Sequence, residues 1–175
     1  MIAWPPREGD ARRAIAAPAA VLSLGAAAIH FAVIGEHLRE FLLYGVLFVL
    51  VSWFQAWWAV QYVARPSRRL EWLALALNLG VVGVWVWSRT IGLPIAPAQG
   101  GTEVVGTADV IATVFEIALV ALLAEVIRLG AWERAGRSAR LSGAAALAIQ
   151  VASLALVIAG TTIALSALAS QMSMG

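Results

Sequence analysis

Long apolar stretches alternate with short polar ones along the chain, and five of the apolar stretches reach about 20 residues or more. A helix that crosses a hydrocarbon core of about 30 Å needs roughly 20 residues. The pattern therefore predicts an all-α integral membrane bundle of five transmembrane helices. We expect these helices at about 14–34, 41–63, 70–91, 109–128 and 141–169.

Polar punctuation supports these boundaries. Gly92 and Pro94 follow the third stretch. They indicate a helix end, because glycine adopts the left-handed cap of a helix and proline cannot continue it. No internal repeat or second domain is visible, so residues 1–175 are predicted to form one transmembrane domain. The second and third stretches, and the fourth and fifth, are separated by polar segments that contain Arg65, Pro66, Arg68 and Arg69, and Arg128, Arg134, Arg137 and Arg140.

Composition agrees with the pattern. The chain is 62% hydrophobic and 13% charged, whereas a soluble domain is about half apolar and about a quarter charged. The twelve basic residues are all arginines in short segments without aromatic or glycine-rich surroundings, which favours the lipid bilayer rather than nucleic acid as the partner. The absence of cysteine excludes disulfides and thiolate metal sites.

The arginines also predict an orientation. With five alternating spans, ten of the twelve arginines fall on one side, and the positive-inside rule makes that side cytoplasmic. The N-terminus would then be cytoplasmic and the C-terminus extracytoplasmic. Residues 12–28 also resemble a signal peptide, but the apolar run continues to Ile34 and reaches spanning length, so we expect the first helix to be retained.

The candidate site consists of two pairs of ionisable residues. His30 and His37 lie seven residues apart, as do Asp109 and Glu116. Seven residues are two helical turns with about 20° of drift, so each pair would share a helix face. With Glu36 and Glu40 beside the histidines, these groups are expected to converge near the extracytoplasmic face.

Structural alternatives exist for several of these residues. His30 alone would be a hydrogen-bonded imidazole, and Asp109 alone would cap the fourth helix. We expect His37 in or after a short turn from Gly35 to Glu40, where the two glutamates would form an acidic cap on the second helix.

Glu116 is deeper and should face the bundle interior, where it would be protonated, bound to a cation or paired with Arg89. A pair between Arg89 and either Glu116 or Asp109 is the main alternative to a metal. Glu103 is read as a solvated loop residue, and Glu71 and Glu125 as partners of Arg68 or Arg128. Two further amides, Gln55 and Asn78, would bridge helices or line a transport path.

Nitrogen and oxygen donors without sulfur favour zinc, iron, manganese or copper(II). The predicted metal ligands are His30, His37, Glu36, Glu40, Asp109 and Glu116. They could hold one ion or a carboxylate-bridged pair, as in di-iron bundles, although the Glu-x-x-His motif of those bundles is absent.

The stretch from His30 to Glu116, about half the chain, resembles a group of small uncharacterised multi-pass membrane proteins of high-GC bacteria. This resemblance implies a bacterial plasma membrane location and no particular activity. It supports treating Glu36, His37, Arg89 and Asp109 as one outward-facing constellation. The residues that carry it are Glu36-His37, Ser88-Arg89-Thr90-Ile91-Gly92-Leu93-Pro94, Glu103 and Asp109.

Three functions are compatible with these residues. The first is a membrane protein that uses a bound metal ion for metal handling, sensing, or redox or hydrolytic chemistry. The second is a non-enzymatic structural subunit of a larger membrane complex, or a homo-oligomer. The third is a small ion- or proton-coupled transporter. No nucleophile-base pair, phosphate loop or nucleotide fingerprint is visible, so the sequence leaves enzymatic activity open.

Overall fold

The computed structural model describes residues 10–94, 102–135 and 142–174. Five helices lie within these ranges, and each is long and apolar enough to cross a membrane, which confirms the predicted helix count. The helices are α1 (Asp10–Glu40), α2 (Leu42–Ala64), α3 (Arg68–Thr90), α4 (Thr107–Arg134) and α5 (Gly143–Met174). The predicted cap at Gly92 is also confirmed, because this residue has a φ of 83°.

The junction between α1 and α2 differs from the prediction. The expected turn from Gly35 to Glu40 is wrong, because α1 continues through these residues to Glu40. Only Phe41, with extended backbone angles, separates the two helices. A glycine within a helix costs only about 1 kcal/mol relative to alanine, so Gly35 alone does not end α1. Glu36 and Glu40 therefore lie at the end of α1 and do not cap α2.

Gly45 makes this tight junction possible. Its backbone lies so close to Leu38 that an added Cβ would be 2.8 Å from the Leu38 Cα atom and 2.3 Å from its Cγ atom. Only glycine can bring the first turn of α2 this near to the last turns of α1. The two helices consequently leave the junction as a closely packed antiparallel pair.

Helix α1 is the centre of the bundle and packs against α2, α4 and α5. Its small residues, such as Ala19 and Ala26, pack in the core with Phe115, Leu119 and Leu123 of α4. Small side chains allow helices to approach closely when all of them are apolar. Helix α3 packs mainly on α4 and makes few contacts with α2, so α2 and α3 diverge from each other.

One end of the bundle is held together by a buried carboxylate. We call this end of the bundle the Arg12 end, and we call the opposite end, which contains Arg89, the Arg89 end. Glu71 of α3 is fully buried, and its Oε1 atom accepts hydrogen bonds from Arg12 Nε at 2.5 Å and from the Tyr62 hydroxyl at 3.2 Å. The expected pairing of Glu71 with Arg68 is therefore wrong, whereas the pair between Glu125 and Arg128 is confirmed.

Candidate functional site

Glu116 of α4 lies at the centre of a buried polar network. It is 1% exposed, and its Oε1 atom lies 3.0 Å from His30 Nε2 of α1. The same oxygen accepts a hydrogen bond from Gln55 Nε2 of α2 at 2.9 Å. Gln55 Nε2 also lies 3.3 Å from Oδ1 of Asn78 on α3. Four helices thus contribute to one network, which confirms that Glu116 faces the bundle interior and that Gln55 and Asn78 bridge helices.

This network explains how a carboxyl group and an imidazole are accommodated at that depth. A buried polar group needs hydrogen-bond partners to offset its desolvation. Since Glu116 Oε1 accepts from the Gln55 amide, a His30 Nε2–H group can donate to the same oxygen. The network uses the Oε1 atom of Glu116 and the Nε2 atom of His30, and both residues line a cleft. The pair can therefore also interact with a molecule in that cleft.

Arg89 of α3 forms a separate cluster with Asp109, which lies about two helical turns from Glu116 along α4. Its Nη1 atom donates to Glu103 Oε2 and its Nη2 atom to Asp109 Oδ2, both at 2.6 Å. The proposed partnership of Arg89 with Glu116 is therefore wrong, and its alternative with Asp109 is confirmed. Helix α4 begins at Thr107, so Asp109 lies in its first turn and is not the cap residue. Glu103 is an ion-pair partner and not merely a solvated loop residue.

His37 has local partners at the Arg89 end. Its ring stacks on Phe48 with a centroid distance of 4.2 Å, and its Nδ1 atom lies 3.3 Å from Glu40 Oε2. Phe48 also contacts the His30 ring edge-on, with a centroid distance of 5.2 Å. The aromatic ring thus lies against both imidazoles. Glu36 is exposed and does not line the cleft.

The predicted metal ligands are consequently dispersed. Among the residues whose positions are described, no three histidine or carboxylate side chains come close enough together to hold a metal ion. His30 and Glu116 form one pair, His37 and Glu40 a second, and Asp109 binds Arg89. The metal site stays a prediction, since ligands can also come from a bound molecule or from a second chain.

The divergence of α2 and α3 opens a cleft of about 290 Å³ that connects the two polar clusters. Its walls are mostly apolar and include Leu47 and Val51 of α2 and Leu77, Val81 and Val84 of α3. His30 and Glu116 lie at its inner end. At the Arg89 end its lining residues include His37, Tyr44, Trp85, Arg89, Glu103 and Asp109.

Three residues that line the cleft at the Arg89 end carry buried polar atoms whose importance the sequence did not reveal. Tyr44 Oη, Trp85 Nε1 and Arg89 Nε are buried and have no hydrogen-bond partner among the residues that the structure describes. The Arg89 guanidinium lies 5.6 Å from the centre of the Trp85 ring. The spacing of four residues between Trp85 and Arg89 is the one sequence signal that places both on the same helix face. Nothing in the local sequence connects them to Tyr44 on α2.

Comparison with known proteins adds no family: no family model, curated protein or solved structure matches the chain.

Proposed function

We propose that this chain is a multi-pass membrane protein that binds a small lipid-soluble molecule in the cleft between α2 and α3. The cleft itself carries the proposal. Small-molecule sites are concave, mostly apolar and equipped with a few polar groups that fix orientation. This cleft has apolar walls, the pair of His30 and Glu116 at its inner end, and the Arg89 cluster at the other.

The distribution of arginines supports an orientation in which the Arg89 end faces away from the cytoplasm. The membrane in this proposal is the plasma membrane of a bacterium. A lipid-soluble molecule would then enter from the outer leaflet, between two helices that make few contacts with each other. The hydrogen-bonding groups at the inner end could exchange a proton with the molecule or bind a second polar group on it.

The test is to fill the cleft without disturbing the bundle. Gly80 lines the cleft, and a Cβ added there meets no atom of the described residues within 4 Å. The Gly80→Trp side chain would therefore occupy the cleft. Gly83 on the same helix is equally unobstructed and does not line the cleft, so Gly83→Trp is the matched control.

Purified wild type and the Gly83→Trp protein should contain a small molecule that organic extraction and mass spectrometry detect in near-stoichiometric amount. The Gly80→Trp protein should lack it. Equal amounts in both variants would contradict the proposal.

A transport role is the second candidate, because the cleft stops at the buried network and the Arg12 end is closed by Arg12, Tyr62 and Glu71. A transport path that is open at the Arg89 end and closed at the Arg12 end would have this arrangement. Flux of protons or cations into liposomes that depends on Glu116, and is lost in Glu116→Gln, would favour transport over simple binding.

Metal analysis distinguishes the metal-binding hypothesis from the structural-subunit hypothesis. Elemental analysis of purified protein should find near-stoichiometric zinc, iron, copper or manganese if the metal reading holds, and His30→Ala with His37→Ala should abolish it. Wild type that is metal-free and takes up no metal on reconstitution, together with an empty cleft, would favour a structural role.

A further inference from the structure

The unpaired polar groups at the Arg89 end of the cleft indicate what kind of molecule it accepts. Tyr44 Oη–H, Trp85 Nε1–H and Arg89 Nε–H are hydrogen-bond donors, and each is buried without a partner in the described ranges of the chain. Buried donors are normally paired, and leaving one unpaired destabilises a fold. Three such groups around one cleft therefore point to an acceptor that the described residues do not supply.

The residues that carry the three donors line the same cleft from two sides. Trp85 and Arg89 are one turn apart on α3, and Tyr44 lies on the opposing wall formed by α2. All three residues belong to regular helices, and the Arg89 guanidinium is also held by Glu103 and Asp109.

The charges of the cluster decide between an anionic and an uncharged acceptor. Glu103 and Asp109 both bind Arg89, so the cluster carries one net negative charge when all three groups are ionised. The Glu103 carboxylate also acts on the Tyr44 hydroxyl as a nearby negative charge and as an acceptor, although the two groups lack the geometry of a full hydrogen bond. An anion would be repelled by the two carboxylates, and a cation cannot accept from N–H and O–H donors. An uncharged oxygen acceptor fits both conditions.

Resting on the proposed function of the cleft, we propose that the Arg89 end binds the carbonyl oxygen of an uncharged, lipid-soluble molecule through Tyr44, Trp85 and Arg89. The apolar walls formed by Leu47, Val81 and Val84 hold the rest of the molecule. Esters, ketones and quinones share this chemistry.

Benzophenone is a suitable probe because it combines two apolar rings with one carbonyl group and cross-links to nearby C–H bonds on irradiation. Peptide mapping should place its cross-links on residues that line the cleft. Phenyl benzoate, which has a carbonyl oxygen, should compete with the labelling. Diphenylmethane, which has the same two rings and no oxygen, should require at least roughly fivefold higher concentration, as expected for one lost hydrogen bond.

Removing the donors one at a time gives the second arm. Tyr44→Phe and Trp85→Phe keep an aromatic ring and should each weaken labelling roughly fivefold. Because the Tyr44 hydroxyl is unpaired without a ligand, Tyr44→Phe should also leave the unfolding temperature of the empty protein unchanged or higher. A clearly lower unfolding temperature would mean that the hydroxyl already has a partner, which would overturn the inference.

The cleft-filling variants separate the two levels of proposal. Labelling that is lost in Gly80→Trp, retained in Gly83→Trp, and insensitive to Tyr44→Phe, Trp85→Phe and the competitor's oxygen would leave the cleft as a binding site and overturn the carbonyl inference. Labelling that is equal in Gly80→Trp and Gly83→Trp would overturn both proposals.

Discussion

His30 and Glu116 are 86 positions apart in the chain, yet His30 Nε2 lies 3.0 Å from Glu116 Oε1 inside the bundle. Both residues are almost completely buried, with 5% and 1% of their surfaces exposed. The contact joins α1 to α4 at the inner end of the cleft. It therefore contributes both to the stability of the bundle and to the chemistry of the candidate site.

This contact predicts energetic coupling. Removing one partner of a buried pair typically costs about 3 to 5 kcal/mol because the other is left uncompensated. His30→Ala and Glu116→Ala should each lower the free energy of unfolding in mixed detergent micelles by about that much, and the double variant should lose less than the sum. The control pair is Arg89→Ala with Glu116→Ala, which should be additive. Additive losses for His30 and Glu116 would contradict the contact.

The protein should be destabilised less by the loss of one of the two acids than by the loss of Arg89. Glu103 and Asp109 each form a 2.6 Å hydrogen bond with a different nitrogen of the guanidinium, so either acid alone still pairs the charge. We expect Asp109→Asn and Glu103→Gln each to cost about 2 kcal/mol, and Arg89→Ala to cost more than either. Unfolding in mixed micelles measures all three. A smaller effect for Arg89→Ala than for the single acids would argue against a shared partner.

At the Arg12 end, neighbouring arginines should behave very differently. Arg12 binds the fully buried Glu71, whereas Arg13 is exposed. Arg12→Ala should therefore cost about 3 to 5 kcal/mol of unfolding free energy, and Arg13→Ala no more than about 0.5 kcal/mol. Tyr62→Phe, which removes one hydrogen bond to Glu71, should cost about 1 kcal/mol. Equal effects of Arg12→Ala and Arg13→Ala would disprove the buried pair.

Gly45 should not accept even an alanine. Its Cβ would be 2.8 Å from the Leu38 Cα atom, and overpacking of this kind typically costs about 1 to 3 kcal/mol. Gly35→Ala is the control, because no atom in the described part of the chain lies within 4 Å of its Cβ and alanine is the better helix former. Combining Gly45→Ala with Leu38→Ala should restore only part of the stability, since the backbone contact remains. A neutral Gly45→Ala would show that the junction can open.

The orientation can be tested with reporter fusions. A periplasm-active reporter placed after α5 should be active, and the same reporter placed after Arg69 should be silent, because ten of twelve arginines lie on the predicted cytoplasmic side. Activity after Arg69 would reverse the orientation. The Arg89 end of the cleft would then face the cytoplasm.

The sequence was sufficient for the helices because long apolar stretches have few alternatives to a helix. The α1–α2 junction was not predictable in the same way. Polar residues from Glu36 to Glu40 suggested a loop, and only the three-dimensional proximity of Gly45 and Leu38 shows how one residue, Phe41, can separate the helices.

For the candidate site, the sequence predicted that Glu116 is buried but not which side chains it contacts. A carboxyl group among apolar neighbours had to face inward, and Glu116 does so. Which side chain it meets depends on how each helix is rotated about its axis, and hydrophobic stretches without a polar face do not fix that rotation. For the same reason Arg89 could be assigned to either Glu116 or Asp109 from sequence, and only the packing of α3 on α4 selects Asp109.

The ring of Phe115 lies between two glycines of other helices. A Cβ at Gly160 of α5 would be 2.6 Å from this ring, and one at Gly25 of α1 would be 3.0 Å from it. Helix α5 packs against α1 and α4 and against no other helix in the described ranges. The surface that receives α5 therefore exists only after α1 and α4 have come together. During biogenesis α5 is synthesised after both α1 and α4, and its docking reports that those two helices are already correctly joined.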